Sequence, residues 1–132
     1  MPVFHFHVPQ GFSVDKKNNM AKAAHKALMD SCGVPEGDFF VTITEHKEGE
    51  LHIDPTFMDM QRSKDAIIVS VVLGEHRPVE QRKALFSEMS KQLDQMAGVR
   101  PDDLFIEAIP VPNANFSFGK GVAQLADVAP RW

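Results

Sequence analysis

Residues 3–8 alternate large apolar side chains with His5 and His7, the period-two pattern of a β-strand that has one covered face. Pro9-Gln10-Gly11 ends that strand. From Ser13, a residue type suited to capping a helix, apolar positions recur at Val14, Ala21, Ala24, Leu28 and Met29. This is helical spacing, and the run stops at Gly33 with Pro35 just beyond. Residues 39–44 are rich in β-formers and predict a second strand, followed by a polar stretch at 45–50. Residues 51–65 follow neither period. Residues 66–73 are nearly all apolar and β-branched, which predicts a strand covered on both faces at the centre of a sheet. Pro78 suits a first helical position, and Leu85, Met89, Leu93 and Met96 form the stripe of a second helix ending at Gly98. A fourth strand is predicted over residues 104–109, after which Pro110, Pro112 and Asn113 begin an irregular tail.

The two halves echo each other where their helices end. Gly33-Val34-Pro35-Glu36-Gly37-Asp38-Phe39-Phe40 parallels Gly98-Val99-Arg100-Pro101-Asp102-Asp103-Leu104-Phe105, with an offset of 65 from Gly33 to Gly98 and again from Phe40 to Phe105. Two unrelated helix-stop turns would share a glycine and a proline for local reasons alone. A duplicated strand-helix-strand unit accounts for more of the pattern. The expected architecture is then a single α+β domain over residues 1–132, with pseudo-repeats at about 1–50 and 66–112 and a tail at 113–132. A helical crossover makes the strands of each β-α-β unit parallel, and both helices lie on one face of a four-stranded sheet. The other face is left apolar and bare, which predicts an oligomer.

Composition narrows the functional classes. The chain has 132 residues, 43% of them hydrophobic, enough for one domain with its own core. A net charge of −4 without long like-charge blocks offers no footprint for nucleic acid. Cys32 is the only cysteine, which excludes an internal disulfide and any multi-cysteine zinc site and suits a reducing compartment. No apolar run approaches the ~18 residues of a membrane span. The first residues lack the basic start and apolar stretch of a secretory signal, so a cytoplasmic protein is expected.

Few side chains carry candidate chemistry. Removal of Met1 would leave Pro2 as a terminal secondary amine abutting a strand, whereas a retained Met1 would leave it an amide. A free α-amine titrates around 8, and burial or neighbouring charge moves it, so a fixed amine could work as acid or base near neutrality. Against this stands the ordinary fate of chain ends, which are frayed and inert. His5 and His7 share one strand face as metal ligands do, but no further ligand stands at a diagnostic spacing, and no metal is expected. His25 reads as a packed or surface histidine, Cys32 as a small buried residue, and the methionines of the second helix as core.

The chain resembles the tautomerase superfamily, and within it the malonate semialdehyde decarboxylase group. The resemblance rests on Met1-Pro2, on residues 23–30 leading to the turn 33–38, on Gln61-Arg62-Ser63, on Arg77 with Glu80-Gln81, and on residues 116–121. It implies catalysis by an amino-terminal proline without a cofactor, a small oxo acid as substrate, two β-α-β units per chain and a homotrimer. By the same resemblance Pro2 is the catalytic proline, Asp38 the water-activating aspartate and Arg77 one of two active-site arginines. Phe116, Phe118 and Leu125 then line the substrate pocket, Phe116 standing where the family commonly has tryptophan. The other arginine's position holds Glu75, a departure from the best-known members.

Read from the residues alone, Arg77 precedes a helix whose amino end attracts a carboxylate, but it would equally serve as a solvated arginine. Asp38 lies between helix and strand, where it could cap a turn. The implied reaction is decarboxylation of a 3-oxo acid such as malonate semialdehyde by a cationic proline. With a neutral proline it becomes keto–enol tautomerisation of a phenylpyruvate-type substrate. The order β-α-β-β-α-β also occurs in ferredoxin-like binding modules, which use an antiparallel sheet and need no terminal amine.

Overall fold

The computed structural model of the chain describes residues 1–130. Strands β1 (Val3–Pro9), β2 (Val41–His46), β3 (Ile67–Gly74) and β4 (Leu104–Val111) alternate with helices α1 (Val14–Cys32) and α2 (Val79–Ala97). The sheet order is β2-β1-β3-β4, with β1/β2 and β3/β4 parallel and β1/β3 antiparallel. The parallel pairs exclude the ferredoxin-like alternative and leave the two β-α-β units, which meet through their central strands.

The helices show why the chain folds in halves. Ser13 caps α1 by accepting from the Lys16 amide at 3.0 Å, and Gly33 closes it at φ +66°. Gly98 closes α2 at φ +65°. Each helix has 19 residues, and the 65-residue offset carries both ends of α1 onto those of α2. Pro78 differs from expectation. Its ψ of 165° is extended, so it stands outside α2 and caps it through its carbonyl, which accepts from the Gln81 and Arg82 amides at 3.1 Å each. Proline's ring fixes φ near −65° for either role, and ψ decides between them.

Alternate residues of the central strands face the helices. Phe4, Phe6 and Val8 of β1 and Ile67, Val69, Val71 and Leu73 of β3 are buried against Met20 and Leu28 of α1 and Leu85, Met89 and Leu93 of α2. Each such side chain contributes about 1.5–3 kcal/mol by leaving water. The opposite face is bare but not uniformly apolar, because β1 and β2 place His5, His7, Thr42 and Thr44 on it. His7 Nδ1 and His46 Nε2 lie 2.8 Å apart there. On the β3/β4 side the same face carries Ile68 and Val72 beside Phe105 and Ile109, which are 44% and 43% exposed. The centre of the sheet is therefore shared by β1 and β3, and β3 is fully covered only on its helix side.

β2 begins at Val41 rather than at residue 39. Phe39 and Phe40 have the composition of a strand but precede it, the Phe39 amide donating back to the Gly37 carbonyl of a tight turn at 3.0 Å. That turn carries Asp38.

Candidate active site

Two features of the sheet converge on the start of β1. The antiparallel register pairs Val3 with Val72, which sets residues 1 and 2 beside the β3–α2 loop. The parallel pairing with β2 sets them beside the α1–β2 turn as well, where the Phe4 amide donates to the Phe40 carbonyl at 3.0 Å. Met1 and Pro2 are both buried in consequence. A chain end held in this way is not a frayed one.

The Met1 amine forms an ion pair with Asp38 Oδ2. Asp38 is buried, and no protein group donates to its Oδ1. A buried carboxylate oxygen without a donor is costly to stability, which marks the position as one shaped for something other than packing. The turn that presents it is braced from behind. The Asp38 amide donates to the Pro35 carbonyl at 3.0 Å, and His25 Nε2 donates to the Glu36 carbonyl at 2.8 Å. The His25 ring packs on Phe39 with centroids 4.8 Å apart. His25 is thus a packed histidine, and the Asp38 side chain caps no turn.

Arg77 is 2% exposed and so is not the solvated arginine that its position at a helix start would allow. Its Nη1 donates to Gln81 Oε1 at 3.2 Å and points toward the Cys32 carbonyl, where α1 ends. Burial and this guanidinium together lower the pKa of the terminal amine from 8.0 to about 5. Cys32 acts on the amine in the opposite direction and does not offset them. Cys32 is buried beneath the site, its sulfur 3.4 Å from Ser31 Oγ.

The tail folds back to wall the site. A cavity of about 310 Å³ is lined by Met1, Gly37, Asp38, Phe40, Phe118 and Leu125. A second, of about 170 Å³, shares Met1 and Leu125 and adds Asn113 and Gln124. Phe118 packs on Phe40 at 5.9 Å, and Phe116 stacks behind Phe118 at 6.3 Å, one ring removed from the cavity. Of the residues singled out from the sequence, Pro2, Asp38, Arg77, Phe118 and Leu125 gather around this one chain end. Sequence reasoning missed Phe40 and Asn113 as site residues. Phe40 could have been found from its place two residues after Asp38, and Asn113 carries no local signal.

The chain that builds this arrangement, an amine set between a carboxylate and an arginine under an aromatic wall, matches two family profiles. The tautomerase enzyme profile matches residues 38–119, and a second tautomerase enzyme profile matches residues 2–58. The chain belongs to the tautomerase family. Two relatives of this tautomerase in Bacillus subtilis (strain 168) are named probable tautomerases. YusQ is 28% identical over 96% of this chain and 100% of its own, and YrdN is 27% identical over 94% and 95%. A malonate semialdehyde decarboxylase structure superposes with a TM-score of 0.86 at 27% identity, covering 92% of this tautomerase and 93% of that chain. A fused 4-OT, described as a symmetric trimer, shares the fold with a TM-score of 0.78 at 19% identity, over 94% and 97% of the two chains. Among the described residues, no three histidine, cysteine or acidic side chains of this tautomerase gather as a metal site. No helix among them is long and apolar enough to cross a membrane.

Proposed function

We propose that this tautomerase, once Met1 is removed, uses the Pro2 amine as a general base on a small 2-oxo acid of the arylpyruvate type. The amine takes a proton from the carbon next to the carbonyl, and the electron pair left behind forms the enol double bond. Returning that proton to the carbonyl oxygen completes the shift, so no co-reactant is consumed. The observation that carries the reading is the buried setting at the start of β1, where burial and Arg77 lower the pKa of the terminal amine, here that of Met1, from 8.0 to about 5, and which Pro2 takes over once Met1 is removed. A neutral amine at physiological pH is a base, and general bases contribute about 10²–10⁴ in rate. Arg77 attracts the substrate carboxylate, and Phe40 and Phe118 offer an aromatic side chain its wall.

Decarboxylation of malonate semialdehyde is the second reading, favoured by the superposition on a decarboxylase and by the free Oδ1 of Asp38. There a cationic Pro2 would polarise the aldehyde, Asp38 would activate water and Arg77 would hold the carboxylate that departs as carbon dioxide. We also assign a homotrimer. Its support is the trimeric fused 4-OT and the exposed Phe105 and Ile109 on the open sheet face.

The test uses protein whose mass confirms loss of Met1, assayed with phenylpyruvate and with malonate semialdehyde. Turnover of either, lost by about 10²-fold or more in Pro2→Ala and in protein retaining Met1, is the expected result. Failure of both assays with the mass-verified protein would sink the enzyme reading, and Pro2→Ala at full activity would sink the mechanism.

A further inference from the structure

One polar pair at the mouth of the site has no part in the mechanism above. His76 Nδ1 donates to Asn113 Oδ1 at 3.2 Å, joining the β3–α2 loop to the start of the tail. The pair lies over Gly74, where a Cβ would stand 2.3 Å from Asn113 Oδ1 and 2.6 Å from His76 Nδ1. Only glycine leaves room for it there. Asn113 is half-buried and lines the cavity of about 170 Å³ that reaches Met1 and Leu125. With its oxygen engaged by His76, the Asn113 carboxamide has its orientation set, and its Nδ2 has no acceptor among the described residues. An amide donor fixed in this way, beside a chain-terminal amine and a buried arginine, suits an oxygen of an anionic ligand. The neighbouring loop residue Glu75 is exposed and acidic, so it supplies no such donor.

We propose that Asn113 is a substrate-binding residue, its Nδ2 donating to a carboxylate or carbonyl oxygen of the oxo acid, and that His76 is a positioning residue which sets the carboxamide. The inference rests on the oxo-acid reading of the site. It assigns the mouth to polar recognition and the Phe40/Phe118 side to the apolar part of the substrate. A hydrogen bond to a charged group made equally in the bound and transition states lowers KM and leaves kcat unchanged.

Asn113→Ala, Asn113→Asp and His76→Phe are measured for turnover of phenylpyruvate and malonate semialdehyde, and by calorimetric titration with malonate as a non-reacting probe. Asn113→Ala raises KM and the malonate Kd about tenfold with kcat within about twofold. Asn113→Asp, which sets a like charge against the ligand, raises them further. His76→Phe keeps the ring volume, removes the donor and gives an intermediate rise. Gly74→Ala, whose Cβ displaces the pair while leaving both residues in place in the sequence, reproduces the His76→Phe effect. Wild-type protein that binds no malonate, or Asn113→Ala that binds malonate and both oxo acids as tightly as wild type, overturns the inference. Wild-type protein that binds malonate and turns over neither oxo acid counts against the proposed function alone.

Discussion

The two halves of this tautomerase have helices of equal length with the same glycine stop, and each places an aspartate at the same point after it. Asp38 and Asp103 are related by the 65-residue offset, and both are buried. Their surroundings differ completely. Asp103 Oδ1 accepts from the Ser63 amide and its Oδ2 from the Ser63 hydroxyl, each at 2.6 Å, so both oxygens are satisfied. Asp38 meets a chain-terminal amine through one oxygen and nothing through the other. The cause lies in what precedes each strand. The chain leading into β3 supplies Ser63 to Asp103, whereas Asp38 faces the Met1 amine. A larger cavity, about 620 Å³ between Gln10, His46, Lys47 and Lys64, is lined by neither aspartate. A duplicated scaffold thus yields one carboxylate with an oxygen that has no donor among the described residues and one whose two oxygens are both satisfied.

Exchanging the two carboxylates for amides should separate those roles most sharply. Asp38→Asn should lower turnover of malonate semialdehyde, the reaction in which Asp38 would activate water, by about 10²–10⁴-fold and leave the unfolding midpoint close to wild type. Asp103→Asn should leave kcat within about twofold and lower stability by about 2–3 kcal/mol, because hydrogen bonds to a buried charge are lost. Chemical denaturation and steady-state kinetics on both variants read this directly, and equal effects at the two positions would break the comparison.

The terminal amine gives a second test, confined to the first half. Burial and Arg77 lower the pKa of the amine at this position, so with Pro2 as the terminal amine kcat/KM should rise with pH along an acid limb below neutrality and stay flat above it, since the neutral form is the base. Stability should move the same way. In protein that retains Met1, the unfolded chain holds a proton between pH 5 and 8 that the folded chain has released, so the denaturation midpoint should increase with pH across that window. An acid limb displaced to about 8 would show a cationic amine at neutral pH and strengthen the decarboxylase reading.

The smallest effect concerns what the halves share. Gly33 and Gly98 both sit in the left-handed region with no atom closer than 4.0 Å to where a Cβ would be. Gly33→Ala and Gly98→Ala should each cost about 1 kcal/mol of conformational strain, and by the same amount. Unequal melting shifts would show that the two turns are less alike than their dihedral angles.

Much of the fold is legible locally. Ser13, Gly33 and Gly98 mark helix ends through chemistry that acts within a few residues, and the alternation in residues 3–8 gives β1 its inward face. Legibility fails where one residue type serves two conformations. Phe39 looks like strand but stands outside it, because the Gly37 carbonyl captures its amide, and only at the Phe40 carbonyl does bonding to β1 begin. Pro78 fits both sides of a helix boundary, and only its ψ separates them. The candidate site was readable residue by residue through the resemblance to a family. Phe40 and Asn113 were not, since each becomes part of it only when the tail folds back over Met1.

By itself the sequence determined the repeated unit, its helix stops and the apolar stripes, because these depend on periodicity and on the conformational habits of single residues. The tertiary structure decided which of two equivalent aspartates is left with an unsatisfied oxygen. That choice depends on the antiparallel pairing of β1 with β3, which brings a chain end, an arginine and a distant tail to one edge of the sheet.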